Sequence, residues 1–160
     1  MKTKGDLKKF LEDAKFSSRD NGRTPFQWNA SANAGFTTGE PWIKVNPNYT
    51  TINAEIQEKN PVSPLNYFRK AVALRKENVA LVYGKYTLLD KANPTIYAYT
   101  REYNNEKWLI VLNFSEKTAT TVLPFSTKKA TLLLNNYAEL PKQTNRLSLK
   151  PYQAVVYKLK

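Results

Sequence analysis

The residues best suited to chemistry fall in one crowded stretch: Arg19, Asp20 and Arg23 stand near its start, Glu40 follows, and Phe26, Trp28, Phe36, Trp42 and Tyr49 run among them. The sequence contains neither cysteine nor histidine. That removes thiolate nucleophiles, disulfides, the usual zinc ligands and the commonest general base together. Any chemistry must rest on carboxylates, hydroxyls, Tyr, Lys or Arg, and no metal or other cofactor is expected. Asp20, flanked by Arg19 and Arg23, reads more simply as an ion-paired loop anchor than as a catalytic acid. Gln27 and Trp28, with Arg23, read as residues that pack and brace a loop.

These residues lie in Phe16–Asn60, a span with Pro25, Pro41 and Pro47 and with Gly22, Gly35 and Gly39. A loop this long within a compact domain is more often functional, or docked on a partner, than free. Before it, GDLKKFLEDAK at residues 5–15 sets Leu7, Phe10, Leu11 and Ala14 on one face of a short amphipathic helix. After it, Ser63-Pro64 gives an N-cap and a proline at the first helical position, opening a helix that ends near Glu77-Asn78.

Beyond Asn78 the apolar period changes from helical to alternating. Strands are expected at Val82–Leu89, Thr95–Tyr103, Lys107–Phe114, Thr118–Leu123, Ala130–Leu134, Arg146–Leu149 and Ala154–Leu159. Asn104-Asn105 should form a tight hairpin turn, because Asn tolerates the positive φ such turns need. The run Trp108–Leu112 is apolar on both faces and should be a central strand, while Tyr97, Tyr99 and Tyr103 share one face of theirs. Short strands at this spacing argue for an antiparallel sandwich.

Composition narrows the partners. At 41% apolar residues, with 10 Tyr, 7 Phe and 3 Trp, the chain can bury a core, yet no stretch approaches the roughly 18 apolar residues of a membrane span. The net charge of +12 is spread out, with 13 basic against 8 acidic residues up to Val79 and 12 against 5 after it. Without a basic patch interleaved with stacking aromatics this reads as solvated surface, and no nucleic acid or membrane partner is expected. The charged N-terminal residues lack the apolar run of a secretory signal, so the expected location is cytoplasmic.

The segment RDNGRTPFQW at residues 19–28, followed by AGFTTGEPW at 34–42 and VNPNY at 45–49, closely resembles a loop of the bacterial α-glucosidases of glycoside hydrolase family 13. The resemblance is to the group of oligo-1,6-glucosidases, dextran glucosidases and trehalose-6-phosphate hydrolases. It continues through Ala73-Leu74-Arg75-Lys76, Val82-Tyr83-Gly84, Leu112-Asn113-Phe114 and Leu149-Lys150-Pro151-Tyr152. It implies a mainly β chain: a C-terminal antiparallel β-sandwich over 80–160, preceded at 1–79 by the tail, long loop plus last helix, of an otherwise missing (β/α)8 barrel.

It further implies a retaining, exo-acting enzyme that cleaves α-1,6 or related α-glucosidic bonds. Such enzymes need a carboxylate nucleophile and a carboxylic acid about 5–5.5 Å apart. The family's motifs for these lie on earlier barrel strands and do not occur here, so the chain alone is expected to be inactive. Arg19 opens the loop motif, and by resemblance it pairs with an upstream Asp and contributes to binding the terminal glucose. A guanidinium suits that task, since it stays charged and grips a carboxylate bidentately with donors to spare. The partners implied are an α-glucosidic oligosaccharide, the missing barrel and a second copy of the chain, met through the barrel-facing surface. An independent carbohydrate-binding sandwich, with the tyrosine stripe as its platform, is the alternative.

Overall fold

The computed structural model describes residues 4–17 and 19–160. The chain divides into two compact units, one up to Leu65 and one from Asn66 to Lys160.

The first unit opens with helix α1, Lys4–Ser17, on which Leu7, Phe10 and Leu11 are all more than half exposed. Three short 3-10 turns follow, Asp20–Gly22, Ala32–Gly35 and Pro47–Thr50, and then helix α2, Ala54–Lys59. Helix α2 falls inside the span expected to be loop. Its local signals are nevertheless present: the Asn53 side chain accepts the Ile56 N–H at 2.9 Å, and Lys59 pairs with Glu55 one turn earlier at 2.7 Å. Gln57 then reaches forward, and its Oε1 accepts the Leu65 N–H at 3.1 Å, close to the start of helix α3, Pro64–Glu77.

In the second unit, helix α3 gives way to helix α4, Val79–Tyr83, and seven strands: β1 Lys85–Leu89, β2 Ile96–Tyr103, β3 Glu106–Asn113, β4 Ala119–Val122, β5 Thr131–Asn135, β6 Arg146–Leu149 and β7 Ala154–Leu159. All pairings are antiparallel, in a five-stranded sheet ordered β1-β2-β3-β7-β5 and a two-stranded sheet of β4 and β6. The hairpin between β2 and β3 turns on Asn104 and Asn105, with φ of 46° and 65°. That is the left-handed geometry expected of this pair.

Strand β3 lies third of five and is covered on both faces. Leu109 and Val111, fully buried, pack with Ile96, Ala98 and Tyr157 of their own sheet and with Leu147 and Leu149 of the second sheet. Trp108 and Ile110 point the other way, onto Ala80 and Leu81 of α4, with Leu74 of α3 and Tyr99 packed alongside. A strand flanked on both sides reads as a continuous apolar run, which is why this segment does not alternate.

The first strand starts later than expected. Val82 and Tyr83 belong to α4, and only from Lys85 does the chain extend. The Asn78 side chain donates to the Leu74 carbonyl at 2.7 Å, closing α3, and Arg75 donates to the Leu81 carbonyl at 2.5 Å. Burial of Ala80 and Leu81 on the sheet overrides the β preference of their Val and Tyr neighbours. Gly84 makes the exit from the helix; a Cβ there would sit 2.3 Å from the Ala80 carbonyl oxygen, which accepts the Gly84 N–H.

One buried amide joins the two sheets. Asn113, at the end of β3, donates from Nδ2 to the carbonyls of Lys117 and Lys150 at 2.8 Å each and of Leu149 at 3.3 Å. Its Oδ1 accepts from the backbone and hydroxyl of Ser115 at 2.9 and 2.8 Å. An Asn113→Leu variant keeps the branched shape but leaves the buried Leu149 carbonyl and the part-buried groups of Lys117, Lys150 and Ser115 without the amide, at up to about 1–3 kcal/mol each. The expected result is a loss of about 3 kcal/mol or more, read as a lower urea midpoint.

Tyr157 is fully buried on the core side of β7, and its hydroxyl has no hydrogen-bond partner among the described residues. Burial pushes its phenol up to about 12, against about 10 for an exposed tyrosine. Below pH 10 the group is neutral folded or unfolded, so its contribution is complete. Between pH 10 and 12 only the unfolded chain ionises there, and stability falls as pH rises. Tyr157→Phe should therefore lose less stability than the parent when thermal unfolding is followed from pH 9 to 11.

Candidate functional site

The loop that carries the candidate residues is held by its own backbone and by side-chain amides. The segment Gln27–Trp28 is fixed to the first turn of α2, where the Gln27 and Trp28 carbonyls accept the N–H groups of Ala54 and Glu55 at 2.9 and 3.0 Å. Gln27 extends its side chain to the Asn48 side chain at 3.0 Å and to the Ile52 carbonyl. Bracing, the role its type suggested, is what Gln27 performs. Asn53, buried, adds a bond to the Tyr49 carbonyl at 2.8 Å.

A second brace is a run of three left-handed residues, Asn33, Ala34 and Gly35, with φ of 52°, 59° and 67°. The run folds the chain back so that the buried Ala34 offers its carbonyl to both Trp28 and Asn29 N–H, at 2.9 and 3.2 Å. Asn33 secures the far side, donating to the carbonyls of Thr37 and Gly39 at 3.3 and 2.9 Å. Asparagines 29, 33, 46, 48 and 53 thus position the loop; Asn29 accepts from Ser31, and Asn46 accepts the Asn48 N–H at 3.2 Å. Their tolerance of positive φ and capacity to cap were the available signals.

Phe26, Trp28, Phe36 and Trp42 of the loop turn outward, and Tyr49 is half-buried. Phe26 and Trp28 meet edge to face with ring centres 4.5 Å apart, both still more than half exposed, and Trp42 is 87% exposed. Arg19 precedes the first 3-10 turn, and its carbonyl accepts the Gly22 N–H at 3.2 Å. Its side chain is exposed and has no ion pair or hydrogen bond among the described residues. The ion pair anticipated for Asp20 does not form: Asp20 holds Arg23 through the backbone, carbonyl to N–H at 3.0 Å, and its exposed carboxylate is left solvated. An exposed pair in water would add little to that turn. Glu40 is likewise exposed, and no group of three or more acidic side chains able to hold a metal occurs among the described residues.

The tyrosine stripe of β2 lies on the sheet face that carries Trp108 and α4, away from the second sheet. Tyr97 and Tyr86 share a hydrogen bond at 2.9 Å between hydroxyls, a bond that, with some burial, pushes Tyr86 up to about 12. Tyr99 is raised by burial. The ring planes of Tyr86 and Tyr99, of Tyr97 and Tyr99, and of Tyr97 and Phe114 stand 41°, 46° and 62° apart. They form a packed cluster, not a flat platform.

Residues 1–84 match the family described as "Alpha amylase, catalytic domain", and residues 86–156 match "Maltogenic Amylase, C-terminal domain". The chain belongs to the α-amylase family. The two matched regions of the α-amylase chain meet at the exit from α4, beside Gly84. Among its relatives is an oligo-1,6-glucosidase of Bacillus cereus, 43% identical over 157 residues, covering 97% of this chain and 28% of that protein. A trehalose-6-phosphate hydrolase of Bacillus subtilis is 41% identical over 146 residues, covering 89% and 26%. The fold is also that of the solved trehalose-6-phosphate hydrolase of Bacillus licheniformis, with a TM-score of 0.87 and 41% identity over 94% of this chain and 28% of the other. An isomaltulose synthase of Protaminobacter rubrum gives 0.85 and 45% over 96% and 28%. This α-amylase family chain thus spans just over a quarter of the length of the relatives it matches. No helix among its described residues is long and apolar enough to cross a membrane.

Gly35 offers a direct test of how the loop is held. A Cβ there would lie 2.6 Å from Asn29 Oδ1, and the φ of 67° disfavours any side chain. Gly35→Ala should loosen the left-handed run at a cost of about 1–3 kcal/mol. Hydrogen exchange at the Trp28 and Asn29 amides, both bonded to Ala34, should quicken by about tenfold or more.

Proposed function

We propose that this chain supplies the substrate-side loop, the last barrel helix and the accessory sandwich of a retaining, exo-acting α-glucosidase for α-1,6 or related α-glucosidic bonds. The observation that carries the reading is the similarity to oligo-1,6-glucosidases along 97% of the chain, joined to a span of only 28% of their length. The barrel part is residues 1–79 and the sandwich 80–160, a division supported by the meeting of the two family matches near residue 85. The chain hydrolyses nothing by itself: the family's nucleophile and acid motifs do not occur in it, and neither does a histidine or cysteine.

Arg19 is the substrate-binding residue of this reading. An exposed guanidinium with no partner among the described residues, at the head of a loop fixed by internal bonds, is free to pair with a carboxylate of the catalytic barrel and to donate to a glucose hydroxyl. The exposed Trp28 and Trp42 belong to the surface that meets the barrel, and without it they favour self-association. The enzyme acts in the cytoplasm on α-glucosidic oligosaccharides. The binding-module alternative calls for coplanar exposed rings, and the tilted tyrosine cluster gives it no support.

The test is a chimera in which this chain replaces the matching segment of the Bacillus cereus oligo-1,6-glucosidase. It should hydrolyse p-nitrophenyl α-glucoside and isomaltose, whereas the chain alone should release no p-nitrophenol. Arg19→Lys in the chimera should lower catalytic efficiency about tenfold or more, since a charge-assisted hydrogen bond contributes about 1.5–3 kcal/mol. A folded but inactive chimera, or activity of the chain alone that Asp20→Asn with Glu40→Gln abolishes, would overturn the proposal.

A further inference from the structure

A cleft of about 590 Å³ opens between the outward side of β6 and the loop 136–145 that precedes it. The two-residue period of β6 makes one wall. Leu147 and Leu149 are buried in the core, so Arg146 and Ser148 face out. The loop makes the other wall with Leu140, Pro141 and Lys142.

That loop is braced along its length. The Asn135 amide donates to the carbonyls of Tyr137 and Glu139 at 2.6 and 2.9 Å, and the Tyr137 hydroxyl donates to the Pro151 carbonyl at 2.7 Å. Nearer β6, Gln143 donates to the Ala130 carbonyl at 3.2 Å and Thr144 to the Arg146 carbonyl at 2.6 Å. The walls stand in place before any ligand arrives, so binding would cost little ordering.

Charge in the cleft is unbalanced. Lys150 is neutralised by Glu139 at 2.7 Å. Lys142 and Arg146 line the same hollow, and their side chains have no ion pair or hydrogen bond among the described residues. Two cations sharing one concavity repel each other, and an anion bound between them would relieve that repulsion. The hydroxyls of Thr118 and Ser148 line the cleft too, ready to exchange hydrogen bonds with a polyol. Leu140 and Pro141 offer the apolar surface that the C–H face of a sugar ring can cover. The volume lies within the range of small-ligand pockets, about 300–1,000 Å³, and is ample for one hexose with its anionic group.

We propose that this cleft binds a phosphorylated sugar of hexose-phosphate size, with Arg146 and Lys142 on the phosphate and Thr118 and Ser148 on the ring hydroxyls. Arg146 is the better anchor, because its planar fork matches two phosphate oxygens at once.

The experiment titrates the chain calorimetrically, at low ionic strength, with glucose 6-phosphate, with glucose and with inorganic phosphate. Saturable binding is expected for glucose 6-phosphate, at least tenfold tighter than for either of the others. Lys142→Gln combined with Arg146→Gln should weaken it at least tenfold. Lys128→Gln combined with Lys129→Gln removes the same charge outside the cleft lining and should leave it unchanged. Absence of saturable binding, equal affinity for phosphate or glucose, or equal weakening by the two double variants would each overturn the proposal. Should the cleft variant fail to fold, amide chemical shifts of the parent decide. Glucose 6-phosphate should move Lys142, Arg146 and Ser148, and shifts confined to other residues would refute the site.

Discussion

The second unit depends on a side-chain amide where two backbones end. A buried carbonyl without a donor destabilises a fold by more than a formed hydrogen bond stabilises it, and the ends of β3 and β6 bring the buried Leu149 carbonyl together with the part-buried ones of Lys117 and Lys150. Asn113 answers the Leu149, Lys150 and Lys117 carbonyls with one amide group, while its oxygen shapes the turn into Ser115. Around it the backbone closes a second circuit: Asn113 N–H donates to the Gln153 carbonyl, and Gln153 Oε1 accepts the Lys150 N–H. The two sheets are therefore joined by directional bonds at one end and by nondirectional apolar packing along the rest of their shared face.

The loop of the first unit uses the same chemistry to a different end. Its asparagines and Gln27 satisfy backbone groups that no sheet or long helix serves, which lets an irregular chain hold its shape while most of its aromatic side chains remain outside. A loop that spends its polar side chains inward and its apolar ones outward has the reverse of the usual distribution. An exposed apolar face of this kind favours association with another surface.

Much of this was legible in the sequence, for identifiable reasons. The alternation of β2 and β6, the unbroken apolar run of β3 and the Asn104-Asn105 turn each follow from local rules that the burial pattern obeys. Helix α4 was not legible, because Val79–Tyr83 has strand-forming side chains and becomes helical through Arg75, Asn78 and its burial on the sheet. The bracing of the loop was only half legible. Gln27 could be assigned a bracing role by type, but its partners lie 21 and 25 residues away. The ion pair expected of Asp20 failed because neighbours in sequence on a 3-10 turn need not face one another. Arg19 owed its selection to the resemblance, as nothing in its own surroundings distinguishes it from another exposed arginine. The family motifs around residues 112–114 and 149–152 turn out to be the two sides of a single contact, made by Asn113.

The strand order of the larger sheet carries a consequence for how the protein is made. Strand β7 lies between β3 and β5, pairing with both, although it is the last of the seven to leave the ribosome. Until Ala154–Leu159 emerges, β5 has no neighbour in its sheet and β3 has an open edge of apolar residues, Leu109 and Val111 among them. Unpaired edges of that kind invite pairing with other chains, and closing a long loop before the final strand docks slows folding. The nascent chain thus passes through a stage in which its most apolar strand is exposed along one side.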